Sequence, residues 1–281
     1  ILAPFIVGAI VSADGKNWQI PFLFTGLLSS MWVLMWIKTY KKPEMHPRLS
    51  QQERAYITSD SGEETIEKIK WIRLLPKKET WAFALTTITD GVWWFYLFWG
   101  AKFLTEQFHV NIENIGLPFL IIYIVADTGS LLGGLASGYL IRKGWTINKA
   151  RKITLLVSAL FILPVVFVPV LTNKWTAVFL IGLAASGHQS WSINGYTLVS
   201  DVFPKKAVAS VIGIGKMVGV GFAILADISL GAILDSAGVD GYIWAFLIAG
   251  FSYILLLGGV HLLMPRMTPL DDNLQYITVK K

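Results

Sequence analysis

The sequence predicts an all-α membrane protein, and three observations carry that prediction. Of 281 residues, 54% are hydrophobic and only 15% charged, against roughly 25% charged in soluble domains. Apolar runs of about 20 residues, the length that crosses a bilayer as a helix, recur at about 20–39, 80–104, 114–141, 151–171, 175–200, 207–234 and 242–264, with a truncated run at about 1–12. Twenty of the 24 Lys and Arg fall in alternate loops. Because such loops stay on the cytoplasmic side, the alternation supports the spans independently of hydropathy and puts the carboxyl terminus in the cytoplasm. Helices satisfy their own backbone groups in lipid, which makes each run helical.

Taken in order, the chain begins inside the apolar run at 1–12, with no initiator Met and no basic lead. It therefore reads as the carboxyl-terminal part of a longer protein. After the span at 20–39 comes a mixed-charge stretch of about 40 residues, too polar to cross a membrane. Within it Ser50, with Glu53 three residues on, has the spacing of a capping box and predicts a short surface helix. Carriers built from two six-helix halves joined by a long cytoplasmic linker have this layout. Residues 1–40 then close one half, 41–79 are the linker, 80–265 form a complete six-helix half, and 266–281 are a cytoplasmic tail.

Within that half the spans at 151–171 and 242–264 are apolar throughout their middles and belong at the lipid-facing periphery. The other four carry polar groups at membrane depth: Asp90, Asp127, then His188 with Gln189 and Asn194, then Lys216 and Asp227. Four helices line something and two support them.

Composition also excludes. With no cysteine there is neither a disulfide framework nor a thiolate site. The basic residues sit in short loops between apolar spans, where they set topology, so the net charge of +6 does not point to nucleic acid. GIGKMVGVG lacks the spacing of a phosphate-cradling loop and lies inside an apolar span, and no His pair has metal-ligand spacing. The reading is of a protein that is not an enzyme and needs no cofactor or metal.

The candidate site residues gather between 180 and 221. Lys216, mid-span, needs a protein or aqueous partner, because an uncompensated ammonium facing lipid costs on the order of 2.5 kcal/mol or more. It suits a substrate carboxylate, or an ion pair within the protein, with Asp127 as the expected partner. Trp191, Asn194 and Tyr196 offer an aromatic face and hydrogen-bonding groups for a polyhydroxylated molecule, although 191 and 194 align on one helix face and 196 lies far round. His188 can relay protons or pack. Asp90, followed by Gly91 and then Trp93 and Trp94, suggests a helix that loosens beside a cavity, with Asp90 as proton carrier or cap. Gly213, Gly215, Gly219 and Gly221 would let a neighbouring helix come close. Asp201, beside Pro204, Lys205 and Lys206, reads as a loop anchor.

The stretches DGVWWFYLFWGAKFL at 90–104, GGLASGYLIRKGWTINKARK at 133–152, GLAASGHQSWSINGYTLVSDVFPKKAVASVIGIGKMVG at 182–219 and HLLMPRMTPL at 261–270 resemble the anion:cation symporters of the major facilitator superfamily, most closely the hexuronate transporters. The linker phrase HPRLSQQERAYI is similar too. The resemblance implies a major facilitator-type helical bundle, with residues 1–40 as helices five and six and 80–265 as helices seven to twelve. It implies a monomeric carrier of the bacterial inner membrane that moves a sugar acid such as galacturonate or glucuronate with protons by alternating access. It also places substrate contacts around Trp93 and Trp94, in 193–196, and at Lys216. Relatives that carry aldonates tend to have Asn where Lys216 stands, and an acidic residue is usual where Gly138 stands. The family's main carboxylate-binding Arg and its proton-coupling acids lie in four earlier helices. Carriage of another organic or phosphate anion, and a non-transporting membrane sensor of the same fold, are the alternative readings.

Overall fold

The structure, a computed structural model, describes residues 6–7, 10–11, 16–59, 69–111 and 114–277. Most of the expected span at 1–12, part of the linker and the tail end with Lys280 and Lys281 lie outside them. The described residues hold no strand, only one antiparallel bridge between Leu270 and Tyr276. The helices are α1 (Gln19–Thr39), α2 (Gln51–Ser59), α3 (Lys78–Ile88), α4 (Asp90–Trp94), α5 (Gly100–Phe108), α6 (Gly116–Arg142), α7 (Ile147–Ile162), α8 (Lys174–Val202), α9 (Lys205–Ala237) and α10 (Gly241–Leu263).

Helix α1 buries only Pro21 and exposes apolar side chains along its length, as a helix does that meets lipid or further helices. Helix α2 starts as its cap predicts. The Glu53 N–H donates to Ser50 Oγ at 3.2 Å and the Ser50 N–H to Glu53 Oε2 at 3.0 Å, which holds the Glu53 carboxyl below its ordinary range.

Two expected spans are not simple helices. The run at 80–104 becomes α3, a turn at Thr89, α4, a π-helical stretch Phe95–Trp99 and α5. The run at 151–171 becomes α7 followed by the 3₁₀ stretch Leu163–Val170. Pro164 and Pro169 lack the N–H that an α-helix would use there, so the tighter winding takes over.

Helix α8 is the hub. Its small residues meet α6, and a Cβ built on Gly129 or Gly133 of α6 would lie 2.2 Å from an oxygen of Ser186 or Ser190. A second ladder joins the broken helix to α9, again in steps of four. Phe83 meets Gly215, Thr87 meets Gly219, and Gly91 meets Ala223, with Thr87 Oγ1 donating to the Gly215 carbonyl at 2.6 Å. Of the glycine series read from the sequence, Gly215 and Gly219 make the close approach, whereas Gly213 and Gly221 face open space.

At the basic end of the bundle the tail folds back. Leu270 N–H donates to the Val202 carbonyl at 2.7 Å, Lys77 Nζ to the Leu274 carbonyl at 2.7 Å, and Tyr276 Oη to Glu79 Oε1 at 2.7 Å. Leu74, Leu270 and Leu274 are buried between tail and bundle. The Glu79 carboxylate, which favours a donor over a phenolate, pushes the Tyr276 hydroxyl up to about 12.

Candidate functional site

Lys216 sits about three turns into α9. Its Nζ donates to Asp90 Oδ2 at 2.6 Å and lies 5.0 Å above the ring of Tyr196. The Lys216 side chain is 36% exposed and that of Asp90 14%. This corrects the expected ion-pair partner: Asp127 is exposed on α6, and the acid that reaches Lys216 is Asp90. The parallel ladder, with Phe83 against Gly215, Thr87 against Gly219 and Gly91 against Ala223, packs α3–α4 along α9 and so brings Asp90 and Lys216 to the same seam.

The break at Thr89 positions the acid. Thr87 and Thr89 turn their hydroxyls back onto the carbonyls of Ala84 and Thr86 at 2.8 and 2.7 Å. Hydroxyl back-bonding of this kind bends a helix. The expected loosening at Asp90 and Gly91 is therefore present, and it widens further into the π-helical turns, a feature frequent at functional sites.

The predicted site residues divide into two layers. In front stand Lys216, Asp90 and Tyr196; Trp94, one turn beyond Asp90 and 40% exposed, stacks on Phe98 with ring centroids 5.4 Å apart. Behind them Trp93 stacks on His188, with ring centroids 5.3 Å apart. His188 Nδ1 shares a 2.7 Å hydrogen bond with Tyr253 Oη, which donates to the Thr89 carbonyl at 3.4 Å. Trp191 is fully buried and donates Nε1 to the Thr86 carbonyl at 3.1 Å. Asn194 is 1% exposed, donates Nδ2 to the Gly133 carbonyl at 3.2 Å, and accepts from Arg151 at 3.5 Å. Against the expectation that they read hydroxyls, Trp191 and Asn194 are sealed between helices with their polar atoms already paired, and His188 is buried beside them, packed against Trp93 and Tyr253. Asp201 is an anchor, as read, but to Arg151 of α7 at 2.8 Å rather than to the adjacent lysines.

One consequence is measurable. Asn194→Ala removes a buried partner of a backbone carbonyl, a loss of about 1–3 kcal/mol. It is expected to lower the melting temperature of the protein, and unchanged stability would return Asn194 to the front layer.

Sequence reading passed over Gln189 as a site residue. It lies seven residues, two helical turns, before Tyr196 and so on the same face. It is half-buried, and its amide has no hydrogen-bond partner among the described residues. The heptad spacing from Tyr196 was the available signal. Asp227, one of two acids on α9 with Asp235, accepts from Trp99 Nε1 at 3.1 Å, three turns from Lys216.

Two clefts of about 390 and 360 Å³ run along the flanks of the bundle. One lies between α6, α7 and α8, the other between the broken helix, α9 and α10, with Asp227 in its wall. Neither includes Lys216, which opens instead onto a face of the bundle. No group of acids and histidines among the described residues could hold a metal ion.

Comparison with known proteins bears on this arrangement. A hexuronate transporter of Escherichia coli (strain K12) is 27% identical over 245 residues, 85% of this chain and 56% of its own length. A probable galactarate/D-glucarate transporter of Bacillus subtilis (strain 168) is 26% identical over 265 residues, 87% of this chain and 57% of its own. A galacturonate transporter of Dickeya chrysanthemi is 28% identical over 191 residues, 65% and 54% respectively. The chain thus spans a little over half the length of these relatives. Among solved structures, a bacterial homologue of the human lysosomal transporter Spinster, inward-facing and unoccupied, superimposes with a TM-score of 0.59 at 14% identity, over 93% of this chain and 64% of that one. The model of the Major Facilitator Superfamily matches residues 1–226. With four described helical stretches long and apolar enough to cross a membrane and a bundle of the same fold, the chain belongs to the Major Facilitator Superfamily, a family of transporters rather than enzymes.

Proposed function

We propose that this chain is the later part of a proton-coupled symporter that carries a hexuronate-like sugar acid by alternating access. Its membrane would be the bacterial inner one, with the tail and the basic loops on the cytoplasmic side. Residues 1–40 end the first six-helix half, 41–79 link, and 80–265 form the second half. The observation that carries the reading is Lys216: an ammonium in the middle of a 33-residue apolar helix, exposed to one face and held by an acid beside a helix break. A cation kept at that depth marks a substrate path more often than a structural need. That Lys216 opens onto a face, outside both clefts, fits a site whose other wall belongs to the opposite half.

In this reading the ammonium pairs with the substrate carboxylate. Gln189 and the Tyr196 hydroxyl meet sugar hydroxyls, and the Trp94 indole covers a C–H face. Trp93, His188, Trp191 and Asn194 form the backing that holds Tyr196 and the break in place. The relatives named for hexuronate, galactarate and galacturonate support a sugar acid over phosphate, and the single cation in the front layer, among the described residues, favours one carboxylate over two.

The test is uptake by the full-length carrier in proteoliposomes under an inward proton gradient. The expected result is accumulation of galacturonate or glucuronate that an uncoupler abolishes and excess phosphate does not inhibit. Binding without accumulation would instead fit a sensor. Equal inhibition by phosphate would make it a general anion carrier.

A further inference from the structure

We infer that Asp90 and the carboxylate of the substrate compete for Lys216, so that the anion can be seated only when Asp90 has taken up a proton, which couples the two within this half of the carrier. The inference rests on the sugar-acid reading above and adds to it the device that ties anion to proton.

The ammonium is already held by one carboxylate. Nζ of Lys216 has Asp90 Oδ2 at 2.6 Å on one side and the face of Tyr196 5.0 Å away on another. Charge bookkeeping then fixes the exchange. Empty, the site holds one cation and one anion and is neutral. A substrate carboxylate added to an ionised Asp90 would leave an uncompensated negative charge among apolar helices, which lipid-embedded protein resists. If a proton from the aqueous side, delivered as hydronium, bonds to Asp90 Oδ2, the hydrogen bond from Nζ to that oxygen breaks. Nζ then donates to the substrate carboxylate, and the site is neutral again, holding one proton and one anion. No bond within the sugar changes.

The surroundings are suited to such an exchange. In contact with Asp90 is Lys216 from α9, whose ammonium lies over the Tyr196 ring of α8; Tyr253 from α10 donates to the Thr89 carbonyl next to Asp90, and Tyr96 lies about one and a half turns along the same helix. His188 and Tyr253 are engaged with each other at 2.7 Å. Asp227, the nearest other acid on α9, is held by Trp99. That leaves Asp90 as the carboxyl in contact with the ammonium. Its helix is already broken at Thr89, so a released Asp90 can swing without unwinding a regular turn.

The experiment measures galacturonate binding and uphill uptake by the full-length carrier, wild type and Asp90→Asn, at about pH 6 and about pH 8. When only the protonated form is competent, the apparent Kd is the intrinsic Kd divided by the competent fraction. Wild type should therefore bind roughly tenfold or more weakly at the higher pH, where protons are scarcer. In Asp90→Asn the competing charge is gone, so binding should be tighter than wild type at about pH 8 and lose its pH dependence, while accumulation driven by the proton gradient is lost.

Weaker binding by Asp90→Asn at both pH values, or a pH dependence equal to that of wild type, overturns the inference and leaves the sugar-acid reading standing. Absence of galacturonate binding by wild type overturns both. Should Asp90→Asn fold poorly, the wild-type protein decides: in weakly buffered solution galacturonate should draw protons from the medium as it binds, and binding without proton uptake overturns the coupling. Asp90→Glu, which keeps the acid, should restore the pH dependence.

Discussion

Lys216→Met is expected to abolish galacturonate uptake by the full-length carrier. Losing one member of a hydrogen-bonded charge pair in a binding site costs about 2 to 5 kcal/mol, and about 3 kcal/mol corresponds to a loss of roughly 100-fold in affinity. A methionine side chain preserves most of the length and the apolar stem of the lysine, so the packing of α9 against the broken helix should survive. Because the substitution leaves Asp90 unpaired, some loss of stability is also expected, and the double variant Asp90→Asn/Lys216→Met separates the two effects. With both charges removed, the melting temperature should recover toward wild type while uptake stays absent. Recovery of uptake in the double variant would make the pair a structural clamp and Lys216 no part of substrate binding.

Gly129→Ala is expected to destabilise the protein as strongly as any single-methyl change can. A Cβ there lies 2.2 Å from the backbone oxygen of Ser186, and a backbone atom cannot rotate away as a side-chain end can. The helices α6 and α8 have to separate locally, at a cost of about 1–3 kcal/mol for overpacking, and the separation propagates to Gly133 and Ser190 one turn on. Gly138→Ala, nine residues along the same helix with nothing within 4 Å, is the matched control. It should melt at or slightly above the wild-type temperature, since Ala is the better helix former. Equal melting temperatures for the two variants would mean that the α6–α8 approach is looser than its geometry implies.

Lys216 was legible in the sequence because a charge in mid-span needs a reason wherever the helices go. Its partner was not, because Asp90 and Asp127 sit at similar depth in their own runs and only the register of one helix against another decides between them. That register depends on Phe83, Thr87 and Gly91 falling opposite Gly215, Gly219 and Ala223, a pattern visible in hindsight as two matching four-residue spacings. The angular separation of Trp191 and Asn194 from Tyr196 was legible from helical period alone. Which of the two faces turns inward was not, since α8 carries polar groups on both sides and its surroundings choose between them. The same ambiguity hid Gln189, whose face becomes apparent once Tyr196 is seen to flank Lys216. The shortening of α7 was written in Pro164 and Pro169, which a hydropathy window reads as simply apolar. The π-helical turns at Phe95–Trp99 had no such mark, being a choice among nearly equal windings made by packing.

The contacts of Leu270, Leu274 and Tyr276 with Val202, Lys77 and Glu79 have a mechanical consequence. They fasten the point where the chain leaves the bundle to the point where it arrives, so the segment from Ile69 to Ile277 is closed on itself like a belt through a buckle. Tension arriving along the segment before α3 is shared between α3 and the tail that follows α10 instead of peeling one of them away. A pull at that point turns the bundle as a whole frame, with the strain spread across the buckle rather than borne by α3 alone.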